Sequence, residues 1–169
     1  MSLKLPLIVL LLLAFLPTWA AADVERMTLR QQAEIQTQHQ RLVGNVRAQA
    51  RREGVVVNVP QLYVFLADQS AAFHQDGYRP GFERELNLIV DRSRRARSMV
   101  RLDRLMERVE TLEGGPMLAS DLPAAEVFLL LYRKPDCAEC DQVAAVLERW
   151  ANENPDRSVL WLDVKLAPR

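Results

Sequence analysis

The chain has 169 residues, with 22 basic against 22 acidic side chains and two cysteines. An apolar fraction of 49% with 26% charged residues suits one folded domain and excludes a largely disordered chain. Zero net charge argues against a general nucleic-acid binder, and two cysteines are too few for a disulfide-stapled miniprotein or a four-thiolate zinc site.

Met1–Lys4 is a short positive segment, and Leu5–Leu16 is an apolar run broken only by Pro6. Ala20, Ala21 and Ala22 then form an A-x-A cleavage pattern. The run is about a dozen residues long, against the roughly 20 that a membrane-crossing helix needs. Residues 1–22 are therefore expected to be a cleaved export signal, with an uncleaved anchor as the alternative. Cleavage before Asp23 removes Lys4 as the only charge of the signal, leaves 21 basic and 22 acidic groups, and leaves no membrane span. Export, most simply to a bacterial periplasm, places the cysteines where a disulfide persists.

Residues 23–53 are polar and rich in glutamine, with Val24, Ile35, Leu42 and Val46 as a thin stripe at helical spacing. They are expected to form a mostly exposed helix that stops near Gly54, with His39 as a surface histidine. Residues 54–169 are expected to form the α/β domain. Val55–Val57 and Leu62–Leu66 read as strand pieces around Asn58-Val59-Pro60. A proline in a sheet belongs at an edge, a strand start or a bulge, so Pro60 is expected to begin the second piece.

Asp68–Pro80 is polar and is expected to be a loop with one helical turn. A long helical pattern follows over 82–112. Phe82, Leu86, Ile89 and Val90 form its first face, and Met99, Leu102, Met106 and Val109 continue it. Gly114-Gly115-Pro116 is the expected stop. Its basic stretch, Arg92, Arg94, Arg95, Arg97 and Arg101, reads as a solvated face paired with Asp91, Asp103 and Glu107. Without interleaved aromatics it does not argue for nucleic acid.

After a linker over 117–125, Val127–Tyr132 is a continuous apolar run, as expected for a strand buried on both faces. Cys137-Ala138-Glu139-Cys140 then opens a helix carrying Val143, Val146, Leu147, Trp150 and Ala151, and Val159–Val164 is another β-type run. Strand, cysteine pair, helix and strand make a βαβ unit whose strands should be parallel. The fold class is thus α/β, a small, mostly parallel sheet flanked by helices in two or three layers. Its core is expected from Leu62, Val64, Leu66, Leu86, Ile89, Val127, Leu129, Leu131, Val143, Val146, Leu147, Leu160 and Leu162.

Spacing alone leaves a CxxC open to half a zinc site, a redox disulfide or neither. No second cysteine pair exists, and His39 and His74 are the only histidines, which disfavours a metal. Nothing calls for a cofactor. A thiol at a helix N-terminus faces unpaired N–H groups and the positive end of the helix dipole, which stabilises its thiolate. The first turn brings both sulfurs together. Cys137 is then the candidate nucleophile, at the exposed end of a strand, and Cys140 the shielded resolving thiol.

This segment resembles the thioredoxin superfamily over about residues 126–165, through Val127–Tyr132, Cys137–Cys140, the helix to Trp150 and the strand Val159–Val164. The resemblance implies thiol-disulfide exchange at Cys137 and Cys140, with protein dithiols or disulfides as partners. It is partial, so an incomplete or atypical thioredoxin-like unit is expected. Asp136 stands where an aromatic residue usually precedes the first cysteine, and Leu131 where a buried acid is common. Only 29 residues follow Cys140, too few for the family's later cis-proline strand and the elements around it. Val59-Pro60 before Leu62–Leu66 resembles that pattern ahead of the cysteines, so a permuted arrangement makes Pro60 a candidate cis-proline beside Cys137.

Asp136, Glu139 and Asp141 crowd the thiols with like charge, opposed by Arg133 and Lys134. A Cys137 less acidic than in strongly oxidising members is expected, with Asp136 as an alternative helix N-cap. The overall layout also looks like small exported proteins of bacterial conjugative transfer systems. That likeness implies a second role: a non-enzymatic assembly factor of an envelope machine. There the Cys137–Cys140 disulfide is structural, and helices 23–53 and 82–112 bind the partners.

Overall fold

The computed structural model describes residues 24–40, 58–92 and 100–167. The expected signal, Gly54, the strand Val55–Val57 and the arginines Arg94, Arg95 and Arg97 lie outside them.

The described residues build a six-stranded sheet. Its strands are β1 (Val24–Gln31), β2 (Gln61–Leu66), β3 (Ala71–Asp76), β4 (Val109–Thr111), β5 (Val127–Arg133) and β6 (Val159–Lys165). The helices are α1 (Ala33–Gln40), α2 (Phe82–Asp91), α3 (Leu102–Met106) and α4 (Ala138–Glu153). The spatial order is β3-β2-β5-β6-β1-β4. β6 runs parallel to both β5 and β1. The pairings β2–β3, β2–β5 and β1–β4 are antiparallel. The sheet is therefore mixed, and the expectation of a mostly parallel one is corrected. A hairpin supplies only the β2–β3 pair, because a short turn closes an antiparallel pair at once, whereas β2–β5 and β1–β4 join segments far apart in the chain.

β5 and β2 are interior strands, buried on both faces. Alternate residues feed two cores. Leu62, Val64, Leu129 and Leu131 face α2 and α4, which contribute Phe82, Leu86, Val143, Leu147 and Trp150. Tyr63, Phe65, Leu130 and Tyr132 face the other way, against Leu102, Leu105 and Met106 of α3. Helices on both faces make three layers. The expected core residues are all buried except Leu66, which is partly so. Trp150 ties α4 to α2 by donating Nε1–H to Asn87 Oδ1 at 2.6 Å.

Three further expectations are corrected. The polar segment expected to be one helix begins as β1, and only Ala33–Gln40 is helical among its described residues. Met27, Leu29 and Gln31 repeat every second residue and turn inward while Glu25, Thr28 and Arg30 stay exposed. That is a strand period, overlooked beneath the glutamine content. The expected loop Asp68–Pro80 contains β3, which a tight turn folds back on β2. There Asp68 Oδ1 accepts from Ser70 N at 3.0 Å, and Gln69 sits at φ 59°. The long helix expected over 82–112 is not continuous. α2 ends at Asp91, α3 spans five residues, and Val109 opens β4. β4 turns at Gly114, whose φ of 92° favours glycine.

The expected charge pairing holds at Arg101, which meets Asp103 at 2.9 Å, whereas Asp91 pairs with Arg157 at 2.6 Å and Glu107 with Arg104 at 3.1 Å. Among the described residues no helix is long and apolar enough to cross a membrane.

Candidate active site: a disulfide at the carboxyl end of the sheet

β5 delivers the cysteines. Its apolar run ends at Tyr132, and Arg133-Lys134-Pro135-Asp136 turns the chain out of the sheet. Asp136 takes a left-handed φ of 54°, a conformation that aspartate tolerates better than most residues. The chain is thereby aimed into α4, and the expectation of Asp136 as N-cap is corrected. Cys137 is the N-cap, its Sγ accepting from Cys140 N at 3.2 Å. Its carbonyl accepts the first helical bond, from Asp141 N at 3.1 Å.

Cys137 and Cys140 form a disulfide across a Cα–Cα separation of 5.2 Å. Cys140 is completely buried, and Cys137 keeps 9% of its surface. The order of exposure is as expected from the helix position, although Cys137 is far less open than a bare strand end suggests. Ala138 and Glu139, between the two, are exposed.

The register sets what stands around the disulfide. β2 is antiparallel to β5 with Gln61 opposite Tyr132, and β3 is antiparallel to β2 with Asp76 opposite Gln61. The start of β2, the end of β3 and the end of β5 therefore share one end of the sheet. The Val59–Pro60 peptide bond is cis, and Pro60 is buried at the head of β2. Pro60 thus lies at the cysteine end of the sheet, next to an interior strand. Its carbonyl accepts from Gly77 N at 2.8 Å. Gly77 reaches the first turn of α4: a Cβ there would stand 3.7 Å from Glu139 Oε2.

Charge near the sulfurs is distributed by Arg133. Its guanidinium lies 2.9 Å from Asp141 on α4 and 3.8 Å from Asp163 on β6. The arginine expected to favour a thiolate is thus shared between two carboxylates. Lys134, Asp136 and Glu139 are exposed. Burial pushes the Asp163 carboxyl above the ordinary range, with Arg133, Lys165 and Arg26 opposing. Its Oδ1 is buried without a hydrogen-bond partner. Asp163 is directly across from Leu131. Its place in an apolar run gave no warning of a partly buried acid here.

A second polar group at the same end was not expected. Gln61 Nε2 donates to Asp76 Oδ1 at 2.8 Å and lies 3.0 Å from His74 Nε2. The His74 ring stacks on Tyr63 at 4.4 Å, and Tyr132 meets Tyr63 edge-on. His74 is therefore an element of this cluster. Only the pairing of β2 with β3 and β5 assembles these residues, and their spacing along the chain carries no signal.

No family model matches the chain, and no curated protein and no solved structure matches it either.

Proposed function

We propose that the chain is an exported, thioredoxin-like protein that exchanges disulfides through Cys137 and Cys140. The observation that carries this is the disulfide itself, placed at the N-terminus of a 16-residue helix directly after a fully buried strand. Parallel β5 and β6 flanking that helix support the likeness, as does Pro60 at the head of β2 on the same sheet end. In a permuted member, the proline-led antiparallel strand precedes the cysteines. The signal-like residues 1–22 support a periplasmic setting.

In the reduced protein the Cys137 thiolate attacks one sulfur of a substrate disulfide, and the other substrate sulfur leaves as a thiolate and takes a proton. The Cys140 thiolate then attacks Cys137 Sγ and expels the second substrate sulfur. The substrate gains two electrons and becomes a dithiol, while Cys137 and Cys140 return to the disulfide. A dithiol donor resets the pair. Mature protein should accelerate insulin reduction by dithiothreitol, and Cys137→Ser should abolish the acceleration. Equal rates for the two proteins would refute the exchange function.

A second reading keeps the disulfide structural, in an assembly factor of a conjugative-type envelope machine. The near-complete burial of both cysteines favours it. It predicts that Cys137→Ser lowers stability and leaves insulin reduction at the uncatalysed rate in both proteins.

A further inference from the structure

Gln61, His74 and Asp76 converge from two strands on one point. Gln61 of β2 stands directly opposite Asp76 of β3. His74 is two residues before Asp76, so both side chains lie on one face of that strand. Three of their polar atoms close a triangle. Gln61 Nε2 is 2.8 Å from Asp76 Oδ1 and 3.0 Å from His74 Nε2, and His74 Nε2 is 3.2 Å from Asp76 Oδ1. Stacking on Tyr63, with ring centroids 4.4 Å apart, fixes the plane of the imidazole. β3 is an edge strand, and the His74 and Asp76 side chains keep 30% and 23% of their surface, so solvent reaches the triangle.

Hydrogen bonding alone leaves these atoms mismatched. With a neutral imidazole, His74 Nε2 and Asp76 Oδ1 are two acceptors in contact, served by one amide. With a charged imidazole, the ring N–H and the Gln61 N–H are two donors in contact. Meanwhile Gln61 Oε1 is buried with no partner, in a residue that is 0% exposed. An unpaired buried carbonyl is costly, and turning this amide end for end puts its oxygen where the nitrogen now stands. The triangle then consists of an imidazole nitrogen, a carboxylate oxygen and an amide oxygen, all lone-pair donors. An ion of the zinc class holds such atoms at about 2.0–2.2 Å, which sets neighbouring ligand atoms about 3.0–3.4 Å apart. The spacings here, 2.8, 3.0 and 3.2 Å, fit that with small adjustment.

We propose that Gln61 Oε1, His74 Nε2 and Asp76 Oδ1 form a binding site for a divalent transition-metal ion of the zinc class, with water completing its coordination. A nitrogen ligand beside two oxygens suits such an ion better than magnesium or calcium, which take oxygen ligands. The ion ties the edge strand β3 to β2 beside the bond from Gly77 N to the Pro60 carbonyl, 2.8 Å long. The site stands apart from disulfide exchange. Leu62 packs towards α4, so Gln61 and Tyr63 face the other way, and both cysteines are held in the disulfide.

The test is an NMR titration of isotopically labelled, oxidised protein with zinc chloride and, in parallel, magnesium chloride. The reporters are the ring C–H resonances of His74 and the side-chain amide of Gln61. His39, the only other histidine, is the internal control. Zinc should shift the His74 ring and the Gln61 amide saturably at one equivalent and leave His39 unmoved, and magnesium should shift none of them. His74→Ala should abolish the response of Gln61. Asp76→Asn should weaken binding at least about tenfold, since losing even an outer-shell partner commonly costs that much. Gln61→Glu should bind zinc several-fold tighter, because an anionic oxygen replaces a neutral one; a purely structural amide would give no such gain. No saturable shift at His74, an equal shift at His39, or an equal response to magnesium would overturn the proposal. The ring resonances of the unmodified protein decide this even if a variant fails to fold.

Discussion

The segment β5–α4–β6 and the segment holding β1 and β4 belong to one sheet, but different physics builds them. β5 is apolar at every position from Val127 to Leu131, and both faces are covered. α4 presents Val143, Leu147 and Trp150 to it. Each fully buried side chain of this kind contributes roughly 1.5–3 kcal/mol, so the elements are strongly determined by local composition. β1 buries only Leu29 and Gln31 completely and keeps four of its eight residues exposed. Its place comes from backbone pairing to β6 over seven register positions and to β4 over three. Interior strands advertise themselves by composition. Peripheral strands depend on a partner far away in the chain.

The largest test of that contrast is a pair of truncations. Trp150→Ala removes the largest side chain of the α4 core and orphans Asn87, and it should cost about 3–5 kcal/mol in urea unfolding. Leu29→Ala, near the sheet margin, should fall at the low end of the range for such changes, about 2 kcal/mol. Equal losses would break the distinction between the two regions.

A smaller effect is expected in the β4 hairpin. Gly114→Ala places a Cβ on a residue with φ 92°, 3.2 Å from Arg30 Nη2. It should cost about 1 kcal/mol, read as a lower thermal midpoint, with β5–α4–β6 amide exchange protection retained.

The finest test concerns Asp163, flanked in β6 by the apolar Leu162 and Val164. Its folded-state carboxyl is raised, first by burial, so the folded protein holds a proton that the unfolded chain has already released. Stability contributed by that proton is present below the ordinary value of 3.8 and is lost as pH rises through the raised one. Asp163→Asn should therefore raise the denaturation midpoint at neutral pH, and the gain should vanish in acid. A gain that persists unchanged at low pH would assign the effect to packing.

The same contrast explains what was legible in the sequence. Val127–Tyr132, the cysteine spacing and the apolar face of α4 each carry a complete local signal, so the strand, the helix and the cysteine pair were readable to within a residue or two. Phe82, Leu86, Ile89 and Val90 placed the start of α2 equally well, but not its end at Asp91, since the helix was expected to run on to 112. β3 was not readable, because Ala71-Ala72-Phe73-His74-Gln75-Asp76 has weak strand preference and becomes a strand by pairing with β2. The helical period of Leu102, Met106 and Val109 was real only through Met106, since Val109 is claimed by β1.

By itself, the sequence determined an α/β chain with a cysteine pair at the start of a helix, because burial periodicity and capping are properties of neighbouring residues. Only the tertiary structure decided that Pro60 stands at the same end of the sheet as the disulfide. It also decided that Arg133 is divided between Asp141 and Asp163, and that Gln61, Tyr63 and His74 gather at one end of the sheet. Those relations cross tens of residues. They exist because strand register, which no local pattern encodes, chooses which distant side chains share one end of a sheet.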